Sequence, residues 1–261
     1  MIGVFDSGLG GLSVLSAIAQ ALPLADLLYL ADTAHLPYGD KDDAFIRQRV
    51  LRIGSHLLDQ GCGLVVFACN TATTAAVAAF RDAFPSLPVV GVEPGVKPAA
   101  AASRSGRIAV LATTSTARSQ RLAQLIRQYA GAVHVDIEAC PGWATRVETL
   151  RLDDPGFADE AQRHLTPLLA AGVDQIVLGC THYAFLRPTL EPIVADQATL
   201  VEVADAVARQ CVRLAGPAAF GSGRLKLLAT AHPERLQAAL PALGLNGLGN
   251  RLRSAASLVA A

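Results

Sequence analysis

Short, nearly continuous apolar runs recur along this chain, each followed by a longer stretch of helical periodicity. Few architectures accommodate that alternation. The runs at 2–5, 27–31, 64–68, 88–92, 107–111, 133–138, 174–179, 199–203 and 224–229 read as strands. They read as nearly continuous apolar runs, as expected where helices cover both faces of a parallel sheet. Between them, 11–22, 42–60, 71–83, 115–130, 158–171 and 204–214 read as helices. This βαβ order predicts an α/β fold with mainly parallel sheets.

With 261 residues the chain has room for one large domain or two small ones. Periodicity lapses over Lys97–Arg107 before a new strand opens at Ile108, which places a domain boundary nearby. The two sides resemble one another. On the first, strands end in Asp6-Ser7 and Cys69-Asn70-Thr71; on the second, in Thr113-Thr114 and Cys180-Thr181-His182. Two similar α/β domains facing one another would gather these four strand ends around one cleft. Open α/β sheets bind ligands at the carboxyl ends of their strands.

Composition removes several functional classes. Hydrophobic residues make up 52% and charged ones 17%, which suits a well-buried globular chain rather than a disordered one. Lys plus Arg and Asp plus Glu are 22 each, so net charge steers the chain towards neither nucleic acid nor an anionic membrane. The five cysteines are odd in number and show no C-x-x-C, which argues against a disulfide framework or zinc site and suits a reducing cytosol. Mean hydropathy is positive, yet no apolar run approaches the ~20 residues that span a bilayer. The opening MIGVFDSGLGG lacks the basic region of a signal peptide. A soluble, cytoplasmic protein is expected.

Cys69 and Cys180 each stand where an apolar strand stops and a helix or turn begins. A helix N-terminus favours negative charge and so favours a thiolate. Buried cysteine is most often a small hydrophobe, and Cys62, Cys140 and Cys211 are expected to be that. The polar residues following Cys69 and Cys180 point instead to function. Asp6 and Ser7, ahead of a glycine-rich turn, suit helix capping and catalysis about equally. The turn is no dinucleotide loop, because Ser13 stands where G-x-G-x-x-G needs glycine. Ser7, Asn70, Thr71, Thr113, Thr116 and Thr181 cluster near strand ends and could hold a carboxylate and an ammonium, although capping accounts for some of them. His182 lacks neighbours at metal-ligand spacing and fits better as a group tuning Cys180. Pro37-Tyr38-Gly39 reads as a turn.

The sequence closely resembles the glutamate racemases, within the cofactor-independent aspartate/glutamate racemase superfamily. The matching segments are Val4-Phe-Asp-Ser-Gly-Leu-Gly-Gly-Leu-Ser-Val14, Asp32-Thr-Ala-His-Leu-Pro-Tyr-Gly39, Ala68-Cys-Asn-Thr-Ala72, Gly91-Val-Glu-Pro-Gly95, Ala112-Thr-x-x-Thr116 with Ser119, and Leu178-Gly-Cys-Thr-His-Tyr183. They run in one order over residues 2–186. The segment Cys140–Glu148 matches the family only at Cys-Pro and the final Val-Glu, and Val203-Ala-Asp205 departs from the family's Asp-Ser-Ala.

The resemblance implies two α/β domains related by pseudo-twofold symmetry, residues 1–96 with 208–261 and residues 97–207, with the active site in the cleft between them. It implies interconversion of L- and D-glutamate by proton transfer at Cα, with no cofactor and no metal. Cys69 would act on the D-enantiomer, assisted by Asp6, and Cys180 on the L-enantiomer, assisted by His182 and Glu148. Substrate contacts would come from Asp6, Ser7, Pro37, Tyr38, Gly39, Cys69, Asn70, Thr71, Thr113, Thr116, Cys180, Thr181 and His182. The product would supply peptidoglycan synthesis in the cytoplasm. Glutamate is the partner implied, with no nucleic acid and no membrane, and a homodimer stays open. Two alternatives remain: a related isomerase or decarboxylase acting on another small acid such as aspartate, and a ligand-binding relative without turnover.

Overall fold

Every residue of the first strand, Ile2–Asp6, is buried, a condition met only when strands flank it and helices cover it. The computed structural model describes residues 1–261. Its strands are Ile2–Asp6 (β1), Leu27–Ala31 (β2), Leu64–Phe67 (β3), Val89–Gly91 (β4), Arg107–Ala112 (β5), His134–Ala139 (β6), Gln175–Leu178 (β7), Thr199–Val201 (β8), Leu225–Ala229 (β9) and Ser257–Leu258 (β10). Its helices are Leu12–Ala21 (α1), Asp43–Asp59 (α2), Asn70–Ala83 (α3), Val96–Ala102 (α4), Thr114–Ala117 (α5), Gln120–Tyr129 (α6), Trp143–Glu148 (α7), Pro155–Ala170 (α8), Arg187–Val194 (α9), Ala204–Leu214 (α10), Pro233–Ala242 (α11) and Asn246–Gly249 (α12). No helix is long and apolar enough to cross a membrane.

The chain divides into two units, Met1–Val92 with Ala204–Ala261, and Glu93–Val203. The first carries a six-stranded sheet in the order β10-β9-β2-β1-β3-β4, the second a four-stranded sheet in the order β6-β5-β7-β8. All strand pairs are parallel. The last segment of the chain returns to the first unit, where α10 packs on α1 and β9 pairs with β2. In the second unit Trp143 lies edge-on to Phe157 and Tyr183, with ring centroids 5.2 and 5.4 Å away.

Each strand expected from apolar runs is present; the helices differ more. The stretch 115–130 is two helices, because Thr113 caps α5 and Ser119 accepts the Leu122 N–H and starts α6 afresh. Within Lys97–Arg107, alanine-rich α4 buries Val96 and Ala99 and packs on β5, β7 and α6 of the second unit. Helices α9 and α11 each open on a proline turn and hold a further proline, Pro192 or Pro241, which obscured their periodicity. The short α7 and α12 and the two-residue β10 carry too few residues to show a pattern.

Helices α2 and α3 approach closely because residue 54 has no side chain. A Cβ there would lie 2.3 Å from Cε2 of Phe80 and 3.0 Å from Cε2 of Phe84. Phe80 cannot swing away, since Phe67 and Phe84 hold it at centroid distances of 4.9 and 4.7 Å. Gly54→Ala would gain about 1 kcal/mol of helix propensity but incur about 1–3 kcal/mol of overpacking against a pinned ring. The clash is expected to win by about 1 kcal/mol, read as a lower urea midpoint at unchanged m.

Candidate active site

In the first unit, Asp6 ends β1 fully buried, and its Oδ2 accepts the N–H groups of Gly8 and Gly11 at 3.1 and 3.0 Å. Tyr29 Oη donates to the Gly8 carbonyl at 2.7 Å and fixes the same turn. Residue 11 must be glycine, since a Cβ would lie 2.6 Å from Asp6 Cβ and 2.9 Å from Tyr29 Oη. Asp6 therefore organises the turn that presents Ser7, whose Oγ lies 3.8 Å from Cys69 Sγ.

Cys69 follows β3 and is the N-cap of α3, its sulfur accepting the Ala72 N–H at 3.4 Å. The first turn of a helix places partial positive charge there and favours an anionic sulfur. The neighbouring Asn70 is 4% exposed, and neither atom of its side-chain amide has a partner. Each orphaned polar atom costs about 1–3 kcal/mol, so this amide is suited to a polar ligand. Thr71 is buried beside it. Tyr38 belongs to the same buried cluster as Cys69, Gly39 has open space at its α-carbon, and Pro37 is exposed.

In the second unit, β7 leads through Gly179 to Cys180. A Cβ at 179 would lie 2.6 Å from the Leu111 carbonyl oxygen of β5, so glycine is required. Cys180 opens the 3₁₀ segment Thr181–Leu186, not an α-helix, and makes no capping bond. It has an imidazole instead. Cys180 Sγ lies 3.6 Å from His182 Nδ1, and His182 Nε2 lies 2.5 Å from Oε1 of Glu148 at the end of α7. Burial of His182 pulls its pKa down, but Cys180 and the Glu148 carboxylate outweigh that and raise it well above the usual value. Thr181 is buried next to Cys180. Thr113 Oγ1 accepts the Thr116 N–H at 3.3 Å and donates to Thr116 Oγ1 at 3.1 Å, so this pair does cap a helix.

The other cysteines are buried and free, as expected. Burial pushes the Cys62 thiol up to about 11 and the Cys211 thiol up to about 12, and raises Cys140 as well. No group of three or more His, Cys, Asp or Glu is arranged to hold a metal ion. Sequence reasoning gave no role to Asp32 and passed over Arg49, which donates two hydrogen bonds to the buried Asp32 carboxylate. Arg49 sits on the buried stripe of α2 with Ile46, Val50 and Ile53, and a charged residue at core spacing was the available signal.

Two α/β units, each with a parallel sheet and a buried, polar-flanked cysteine after the strand beside β1 or β5, match a two-domain α/β fold shared with amino-acid racemases of known structure. The chain belongs to the Asp/Glu/hydantoin racemase family, whose match covers residues 6–211, and so is an isomerase. It is 47% identical over 246 residues to a glutamate racemase of Ectopseudomonas mendocina, covering 93% of this chain and 94% of that one. Among solved structures, Escherichia coli glutamate racemase in complex with L-glutamate and the activator UDP-MurNAc-Ala aligns with a TM-score of 0.84 and 32% identity, over 93% of this chain and 94% of that one. The Thermus thermophilus glutamate racemase in complex with β-chloro-D-alanine aligns with a TM-score of 0.78 and 33% identity, over 99% and 96% of the two chains.

Folding raises the His182 pKa, so protonation of this ring stabilises the folded chain. That contribution is complete below the ordinary value of ~6.5 and is lost as pH rises through the raised value. Glu148→Gln is expected to lower the ring's titration midpoint, followed by NMR of the imidazole carbons, and to reduce stability at pH 7 by about 1–3 kcal/mol.

Proposed function

We propose that this chain interconverts L-glutamate and D-glutamate by two-base proton transfer at Cα, with Cys69 and Cys180 as the acid/base pair and no cofactor. Inversion passes through a planar carbanion, so one proton leaves one face and another arrives at the opposite face. Starting from D-glutamate, the Cys69 thiolate takes the Cα proton and the Cys180 thiol delivers its own to the other face. The L-enantiomer follows the reverse course. Each turnover leaves Cys69 as thiol and Cys180 as thiolate, or the converse, and no electrons are exchanged.

The observation that carries this function is the equivalent placement of the two cysteines. Each follows the strand that neighbours β1 or β5, each is buried, and each is followed by polar residues at a strand's carboxyl end. Glutamate as substrate is supported by the relatives named above. Ser7, Asn70, Thr71 and Thr181 supply neutral donors for the substrate carboxylate, where they would stabilise charge developing in the transition state. Asp6 supports the Cys69 side by organising its turn, and the His182–Glu148 pair supports the Cys180 side. Tyr38 and Gly39 line the Cys69 side, and Thr113 and Thr116 the Cys180 side. The product is suited to supplying D-glutamate for peptidoglycan in the cytoplasm, a reducing compartment that keeps such thiols free.

L-glutamate incubated with the protein in D₂O should lose its optical rotation and acquire one deuterium at Cα per inversion. Cys69→Ala and Cys180→Ala should each lower turnover by about 10²- to 10⁴-fold. Turnover of L-aspartate in place of glutamate would refute the substrate, and absence of exchange at Cα in either amino acid would refute the racemase activity.

A further inference from the structure

The Asp32 carboxylate is fully buried and saturated with hydrogen bonds. Its Oδ2 accepts from Tyr38 Oη at 2.6 Å and Arg49 Nε at 3.0 Å. Its Oδ1 accepts from Arg49 Nη2 at 2.8 Å and Thr230 Oγ1 at 2.9 Å, and lies 3.0 Å from His35 Nδ1. Thr230, just beyond β9, also accepts the Ala34 N–H at 3.0 Å, and Thr33 Oγ1 accepts the Ala231 N–H at 3.0 Å. The segment from Asp32 to Tyr38 is thus pinned to α2 on one side and to the returning C-terminal segment on the other.

Stability is a poor explanation for this arrangement. A buried ion pair rarely outperforms apolar side chains of the same volume, because desolvation offsets most of the attraction. What it supplies is direction, since a bidentate guanidinium–carboxylate pair has one geometry. The group it directs is Tyr38. The ring packs 6.2 Å from that of Phe5, and the turn Tyr38–Asp40 lies against α3, the helix that Cys69 caps. Burial and the Asp32 carboxylate together raise the Tyr38 hydroxyl's pKa far above its usual value, so it stays protonated and donates to Asp32. Tyr38 therefore shapes the site with its ring and with the backbone of Gly39, not by exchanging its own proton.

We propose that Asp32, Arg49 and Thr230 form a positioning network that sets Tyr38 and Gly39 against Cys69, so that proton transfer at Cys69 depends on it. This rests on Cys69 being one of the two acid/base groups, and it adds residues whose action is indirect.

Thr230→Val keeps the side chain's shape and removes both of its hydrogen bonds, whereas Thr230→Ser keeps them. In the full-length protein, Thr230→Val should lower kcat/KM for glutamate by about 10- to 100-fold, as a misplacement of up to 1 Å does. Thr230→Ser should restore most of it. Enantiomers have equal free energy, so kcat/KM must fall equally in both directions; isotope effects reveal which side is affected. With Cα-deuterated substrates, the primary isotope effect should rise for D-glutamate, which Cys69 deprotonates, and fall for L-glutamate. Unchanged kinetics in Thr230→Val, or a loss with both isotope effects unaltered, would overturn the network's role. Should the wild-type chain turn over neither enantiomer, the functional assignment fails, and the network is read instead from the rate of Cys69 alkylation by mass spectrometry. A rate altered in Thr230→Val and restored in Thr230→Ser then supports the network, and an unaltered rate overturns it.

Discussion

When a parallel sheet is covered on both faces, polar chemistry can occupy only the ends of its strands. Strand β1 is buried throughout, and β5 is buried beyond its first residue. A charged or hydroxylated side chain in the interior of either would sit in the core without partners. Just past the last ladder bond, free backbone N–H groups and turns become available. Asp6, Cys69, Thr113 and Cys180 all stand at this border, which Gly11 and Gly179 make passable by letting backbones approach where a Cβ would collide.

Five cysteines are buried here, and burial alone works against ionisation. It holds Cys62, Cys140 and Cys211 as thiols. In the proposed mechanism Cys69 and Cys180 each have to visit the anion, so something must compensate their desolvation. At Cys69 the sulfur accepts the Ala72 N–H at the start of α3. Beside Cys180, where the following segment is 3₁₀ and offers no such bond, lies an imidazole held by a carboxylate. Nothing in a two-base inversion demands that both sides be built alike.

Most strands were legible because a run buried on both faces needs no periodicity, only apolar residues and a terminus; the exception is β6, an edge strand that alternates apolar and polar residues and buries none of them. Helices built from alanine, such as α4, or opened by proline, such as α9 and α11, lacked the apolar stripe by which a helix is read. Cys69 and Cys180 could be singled out because their polar neighbours are adjacent in sequence. Partnerships over distance could not be read that way. Arg49 lies 17 residues from Asp32, Thr230 lies 198 residues from it, and Glu148 lies 34 residues from His182. Only the fold brings them together. Family resemblance supplied Glu148, whereas Asp32 and Arg49 became visible through burial.

Those distant contacts bear on why the last part of the chain rejoins the first sheet. A hairpin or helix elsewhere could shield the outer edge of β2 from water equally well. Strand β9 does more than cover that edge, because its end delivers Thr230 and Ala231 to the backbone and side chains of Thr33, Ala34 and Asp32. The segment carrying Tyr38 has no regular ladder of its own and would otherwise be ordered only by local turns, at about 1–2 kcal/mol of backbone entropy per residue. Hydrogen bonds from an already rigid strand end lower that entropy in advance of substrate binding. The parallel sheet thereby extends its rigidity into a loop it does not contain.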